Sequence, residues 1–159
     1  MSETTEGMRG CVIPKDLYYR VEDHTWVKVR EDGTVLVGMT DVAQAMAGPI
    51  LHVKARSAGT QRDRGRPLAT VESAKWVGPV KSPVSGEIVE VNGKVTQDGG
   101  IVNKSPYGQG WIVRMKPANQ QAELAEMLTG EAAVEAYRQK IEKEQLKTCV
   151  HVEGFDGEA

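Results

Sequence analysis

Pro67-Leu68-Ala69-Thr70-Val71-Glu72-Ser73-Ala74-Lys75-Trp76 begins as a strand and ends in a turn. Val, Thr and Leu suit an extended backbone, and the small residues Ser73 and Ala74 let the chain reverse just before a lysine. A Gly78-Pro79 break follows. Ser82-Pro83-Val84-Ser85-Gly86 is turn chemistry again, and Glu87-Ile88-Val89-Glu90-Val91 alternates at period two until Asn92-Gly93 closes it. The stretch therefore predicts a β-rich body in which Lys75 lies at or beside a tight turn.

Toward the N-terminus the pattern continues. Thr25-Trp26-Val27-Lys28-Val29-Arg30 alternates, Glu31-Asp32-Gly33 turns, and Thr34-Val35-Leu36-Val37 returns as the second arm of a hairpin. Thr40 to Ala47 predicts a short helix with Thr40 or Asp41 as its cap and Gly48-Pro49 as its stop, after which Ile50 to Val53 resumes as a strand. Gly33 to Val37 and Gly86 to Val91 resemble each other loosely, as a pseudo-duplicated β-fold would require, although any Gly before β-branched residues matches.

Lys54, Arg56, Arg62, Arg64 and Arg66 face only Asp63 across residues 54–66, with Gly59 and Gly65 as punctuation. This reads as a basic loop, either a docking surface for an acidic partner or a solvated segment. Toward the C-terminus, Asp98-Gly99-Gly100 is a further turn signal. From Gln120 onward helix formers dominate, with Leu124, Met127 and Leu128 on one face, Thr129 as a cap, and Val134, Tyr137 and Ile141 at helical spacing. The expected organisation is an N-terminal extension over 1–15, a domain over 16–117, helices packed on it over 118–147 and a mobile tail over 148–159.

The bulk numbers narrow the classes. Forty per cent apolar residues with one Phe, 17 Gly and 7 Pro suit short strands joined by tight turns. A net charge of −2 gives no global attraction to nucleic acid or anionic lipid. Met1 to Gly10 holds no apolar core of a signal peptide, and no stretch reaches the roughly 18 apolar residues that span a bilayer, so a cytoplasmic location without membrane contact is expected. Two cysteines, Cys11 and Cys149, are too few for a secreted disulfide scaffold and fit a reducing compartment. With three scattered His residues and no paired Cys spacing, no metal site is expected.

A lysine used as a covalent handle must be exposed, reachable by a modifying enzyme and rigidly displayed, and a hairpin tip meets all three requirements. The same residues also describe an ordinary solvated lysine, and spacing does not separate the two. What separates them is a resemblance carried by five ordered stretches. These are Tyr19 to Val27, Val37-Gly38-Met39-Thr40-Asp41-Val42-Ala43-Gln44, Gly65 with Thr70-Val71-Glu72-Ser73-Ala74-Lys75, Ser82-Pro83-Val84-Ser85-Gly86-Glu87, and Ser105-Pro106-Tyr107-Gly108-Gln109-Gly110-Trp111.

From about Asp16 to Lys116 the chain resembles the H proteins of the glycine cleavage system, within the lipoyl-domain superfamily. The resemblance implies a mainly β, flattened antiparallel barrel or sandwich with a short helix after the first hairpin and C-terminal helices. It implies a covalent lipoate on Lys75, with Glu72 and Ser73 completing the lipoyl-lysine motif read by a lipoate ligase or lipoyl transferase, and Gly65 and Gly86 flanking the hairpin. It also implies a non-catalytic, monomeric carrier served by dihydrolipoamide dehydrogenase.

Some positions depart from the family's pattern. Ala45-Met46-Ala47, Gly48-Pro49, Val53-Lys54-Ala55-Arg56, Trp76 to Pro79 and Lys81 replace residues that are acidic, small or aromatic in glycine-cleavage H proteins. Charge reversal on a docking face discriminates against one partner as well as for another. The departures make the chain more similar to the H-like lipoate-binding proteins that serve a heterodisulfide-reductase-like complex in sulfur oxidation. That is the expected role, and a glycine-cleavage carrier of the aminomethyl group is the alternative. Cys11 and Cys149 read either as thiols that exchange with the arm or as incidental free thiols or a terminal contact.

Rival classes fit less well. Biotinyl domains flank their lysine with Met, whereas Lys75 has Ala74 and Trp76. A stand-alone enzyme needs converging nucleophile, base and oxyanion groups, and no such set is visible. A plain interaction module predicts that Lys75 stays unmodified.

Overall fold

A computed structural model of the chain describes residues 8–159. The expected N-terminal extension lies partly outside the described residues, and its remainder is part of the core: Met8, Cys11 and Ile13 are buried. The strands are β1 (Tyr18–Arg20), β2 (Thr25–Val29), β3 (Val35–Met39), β4 (Ile50–Ala55), β5 (Gln61–Arg62), β6 (Pro67–Ser73), β7 (Val77–Lys81), β8 (Gly86–Val91), β9 (Val113–Pro117) and β10 (Leu128–Thr129). The helices are α1 (Asp41–Ala47), α2 (Gly93–Gln97), α3 (Gly100–Lys104), α4 (Gln120–Ala125) and α5 (Gly130–Lys143).

The strands form two antiparallel sheets, one of seven in the order β10-β1-β2-β3-β9-β8-β5 and one of three in the order β4-β6-β7. This open sandwich is the expected lipoyl-type architecture. The two loosely similar stretches become β3 and β8, which lie on either side of β9.

Alternation decides which side each residue serves. On β2 and β3, Val27, Val35, Val37 and Met39 join Val53, Leu68, Val71 and Val80 of the small sheet in one core. Trp26 and Leu36 point the other way, into a second core with Met8, Ile13, Tyr107, Tyr137 and Ile141. Both faces of the large sheet are covered at β3, which is buried at all five positions. Trp26 crosses Gly38 so closely that a Cβ there would stand 2.6 Å from its ring. Its indole Nε1 donates to the carbonyls of Met39 and Pro106, both at 3.0 Å.

Several expectations change on folding. Gly78-Pro79 does not end the ribbon but lies within β7, an edge strand of the small sheet, where a missing N–H disrupts no inner ladder. The turn signals at Asn92-Gly93 and Asp98-Gly99-Gly100 each open a single-turn helix, the first capped by the Asn92 side chain accepting from Lys94 N. Met127 and Leu128 lie beyond α4, and Thr129 turns its hydroxyl to the carbonyl of Leu17 (2.7 Å) instead of capping α5. The basic segment is tied down: Arg62 pairs with Gly86, Gly59 N donates to Ile88 O, and the Arg64 guanidinium meets Glu126.

Residues 148–159, expected as a mobile tail, lie along the body. His151 Nε2 meets the buried Asp41 carboxylate at 2.8 Å, Phe155 stacks on the His151 ring, and Asp156 N donates to Lys104 O. Cys11 and Cys149 are not free thiols but a disulfide, with Cα atoms 5.1 Å apart. The packing of the two chain ends accounts for the pairing: Cys149 N donates to Arg9 O at 3.0 Å, and both cysteines are buried in the second core. The pairing removes cysteine count as an argument for a reducing compartment.

Candidate functional site

β6 and β7 form a ribbon whose apex is Ala74-Lys75. The turn is closed by Ser73 N donating to Trp76 O at 2.8 Å, so the reversal is set by backbone as well as by the small residues there. Lys75 is exposed. Ser73 is buried, and its hydroxyl donates to Ala47 O at the end of α1. One hydroxyl thus locks the apex of the ribbon to the helix before it.

That helix end is itself fixed. Thr40 Oγ1 accepts from Ala43 N to cap α1, and Gly48 ends it at φ +78°. Asn103 of α3 donates to Gln44 Oε1 and to Gly48 O while its own carbonyl accepts from Ile50 N, which satisfies the polar groups of the α1–β4 junction. A Cβ at Gly48 would meet the Lys75 stem at 3.0 Å. Gly48 therefore serves twice, for a left-handed backbone and for the passage of the lysine stem.

Two concavities adjoin the apex. A cavity of about 160 Å³ is lined by His24, Met39, Ala43, Met46, Trp76 and Val80, and Trp76 covers one side by lying across Gly78, where a Cβ would stand 2.2 Å from its ring. A groove of about 310 Å³ runs between α1 and residues 145–149, and Lys75 lines it together with Cys149. His24 is held in the left-handed region at φ 57° with its Nδ1 3.2 Å from Tyr137 Oη. Burial, and secondarily the Lys140 ammonium, push its pKa down to about 4. Burial also raises the phenols of Tyr107 and Tyr137 well above the usual range.

The predicted site residues separate into an apex and a base. Glu72 is exposed beside the turn, on β6 opposite Val77. The Ser73 hydroxyl faces inward, so its part is positioning. Gly65 and Gly86 lie at the far end of the ribbon: Gly65, at φ +92°, donates its N–H to Ser82 O, and at Gly86 a Cβ would stand 2.3 Å from Lys116 O. The roles of Gly48, Met46 and Asn103 are not readable from spacing, although the Gly48-Pro49 stop marks where α1 must end. Among the described residues no group of three or more His, Cys, Asp or Glu is placed to hold a metal, and no helix is long and apolar enough to cross a membrane.

Residues 17–141 match the family model described as glycine cleavage H-protein. The chain belongs to the glycine cleavage H-protein family. Members of this family carry lipoate attached covalently to a lysine. The chain is 47% identical over 146 residues to glycine cleavage system H protein 2 of Aquifex aeolicus, covering 92% of this chain and 91% of the relative. It is 45% identical over 141 residues to a probable glycine cleavage system H protein 2 of Saccharolobus solfataricus, covering 87% and 94%. The crystal structure of a glycine cleavage system H protein from Mycobacterium marinum superposes with a TM-score of 0.70 at 32% identity, covering 84% of this chain and all of that one.

Proposed function

We propose that the chain is the lipoyl carrier of a glycine cleavage system, with lipoate in amide linkage to Lys75 and an aminomethyl group as its cargo. The observation that carries this reading is the display of Lys75, exposed at a ribbon apex that Ser73 ties to α1. The surroundings fit the group. The attachment amine is open to solvent, and the walls beside it are apolar enough to receive a hydrocarbon arm. When bound, the lipoyl group supplies a disulfide that an incoming group opens and a dithiol that a later enzyme reoxidises.

The chain's own residues do the presenting. Ser73 and Gly48 hold and clear the base of the arm, Glu72 offers a carboxylate for a lipoate ligase or lipoyl transferase to read, and Met46 with Trp76 provides an exposed apolar wall. The protein is a carrier, not a catalyst. Its partners in this reading are the glycine-cleavage enzymes, dihydrolipoamide dehydrogenase among them. The family model and the relatives described above bear the glycine cleavage name, which moves the reading away from the sulfur-oxidation system expected from the departures.

The sulfur-oxidation reading keeps one supporting observation. Lys54, Arg56, Arg66 and Lys81 are all exposed on or beside the small sheet that carries Lys75, a basic surface suited to a different partner. One experiment separates the readings. The protein isolated from its native cells is weighed intact, the Lys75 peptide is fragmented, and the carrier is assayed with glycine decarboxylase. A lipoyl increment on Lys75 with turnover like that of an ordinary H protein supports glycine cleavage. A lipoylated carrier that the decarboxylase ignores, bearing extra sulfur on the arm, supports the second reading, and an unmodified Lys75 in lipoylating cells overturns both.

A further inference from the structure

Lys75 and Cys149 line one groove, together with Val42, Met46, Lys147 and Thr148. A disulfide is thus built into the wall beside the attachment point of a redox-active arm. We infer that the Cys11–Cys149 bridge is a redox site for that arm, exchanging two electrons with the dithiol carried on Lys75. The inference rests on lipoylation of Lys75 and goes beyond carriage of a one-carbon group.

The two sulfurs are not equivalent. Cys11 is 1% exposed, whereas Cys149 is 6% exposed and is the member of the pair that lines the groove. Cys149 Sγ is therefore the sulfur attacked. It takes a bond from one arm thiolate while the Sγ–Sγ bond breaks, and Cys11 Sγ leaves as a thiolate that picks up a proton. The second arm thiol then closes on the first arm sulfur, and Cys149 leaves and is protonated. The arm is oxidised from dithiol to cyclic disulfide, and the cysteine pair is reduced from disulfide to two thiols. Two electrons and two protons pass, and the reverse sequence reoxidises the pair.

The surroundings suit this exchange. The attacking species is a thiolate, and a neighbouring cation favours it. Acylation removes the charge of Lys75, which leaves Lys147 as a cation in the groove wall. Tethering makes the exchange intramolecular, at an effective concentration of order millimolar or above. Reduction also has a mechanical result. Cys149 leads directly to His151 and its contact with Asp41, so opening the bridge frees one of the ties holding the last residues against α1.

The test uses lipoylated full-length protein, shown by intact mass to carry the increment, alongside a Lys75→Arg variant that cannot. Both are given dihydrolipoamide dehydrogenase with NADH, quenched with N-ethylmaleimide and mapped as peptides. Exchange predicts N-ethylmaleimide on Cys11 and Cys149 in the lipoylated protein and an intact bridge in K75R. In a lipoylated Cys11→Ser variant kept oxidised, without dehydrogenase or NADH, the freed Cys149 thiolate opens the cyclic disulfide of the arm, and N-ethylmaleimide on the released arm thiol traps a disulfide-linked peptide pair joining the arm on Lys75 to Cys149. Labelling confined to the arm, with the bridge intact and no linked pair in C11S, overturns the inference and leaves the carrier reading standing. Equal labelling of both proteins overturns it by showing direct reduction. Absence of the lipoyl increment overturns both readings together.

Discussion

The two cores of this molecule are built by different routes. The core between the sheets is made mostly of Val, Ile and Leu that alternate along strands close in sequence, and it carries the Lys75 ribbon on its outer side. The core on the opposite face of the large sheet is made of Trp26, Tyr19, Tyr107 and Tyr137 with residues from both chain ends, and a disulfide closes it. The first is a sum of local choices. The second exists only once segments more than a hundred residues apart have met, and it fixes α1, whose far end positions Lys75.

This comparison can be broken most severely at the bridge. Replacing both Cys11 and Cys149 with Ser removes closure of a 138-residue separation, worth up to about 5 kcal/mol in the chain-entropy account. Denaturant unfolding is expected to show the loss. Hydrogen exchange is expected to rise first at Met8 to Leu17 and in α5, with β6 and β8 protected. Equal acceleration in both cores would mean that they form one cooperative unit. Trp26→Ala comes next, at about 3–5 kcal/mol, because it leaves a cavity and two unpaired carbonyls. Leu68→Ala in the first core is expected to cost at the lower end of that scale.

A third measurement sharpens the comparison by pH. His24 stays neutral in the folded protein down to about pH 4, whereas in the unfolded chain it takes a proton near 6.5. Stability present at pH 7 is therefore lost as pH falls from about 6.5 to about 4, by an amount on the order of 3 kcal/mol. His24→Asn, which tolerates the left-handed backbone, is expected to flatten that part of the curve. The smallest effect is Ser73→Ala, about 1 kcal/mol for a neutral hydrogen bond. Its clearer readout is slower lipoylation of Lys75 by purified ligase, since the apex is no longer pinned to Ala47.

Much of the first core and its site was legible in the chain. Period-two alternation marked β2, β3, β6 and β8, Thr40 and Gly48 bracketed α1, and the residues around Lys75 placed it at a turn. What was not legible has physical causes. Pro79 reads as a breaker because local propensity does not know that β7 is an edge. The helices α2 and α3 are too short to show a period. The disulfide and the docked C-terminal residues depend on contacts between ends that no local pattern encodes. Gly48 was visible as a stop, but its second role depends on a side chain 27 positions later passing over it.

Pro79 also bears on how such a molecule survives in company. The ribbon that carries Lys75 ends sideways in β7, whose outer edge would otherwise present a row of backbone donors to any passing strand. A ring nitrogen interrupts that row. In the proposed role, where the tip is gripped and let go by enzyme after enzyme, that interruption keeps the flank from being zipped into another copy of the same chain.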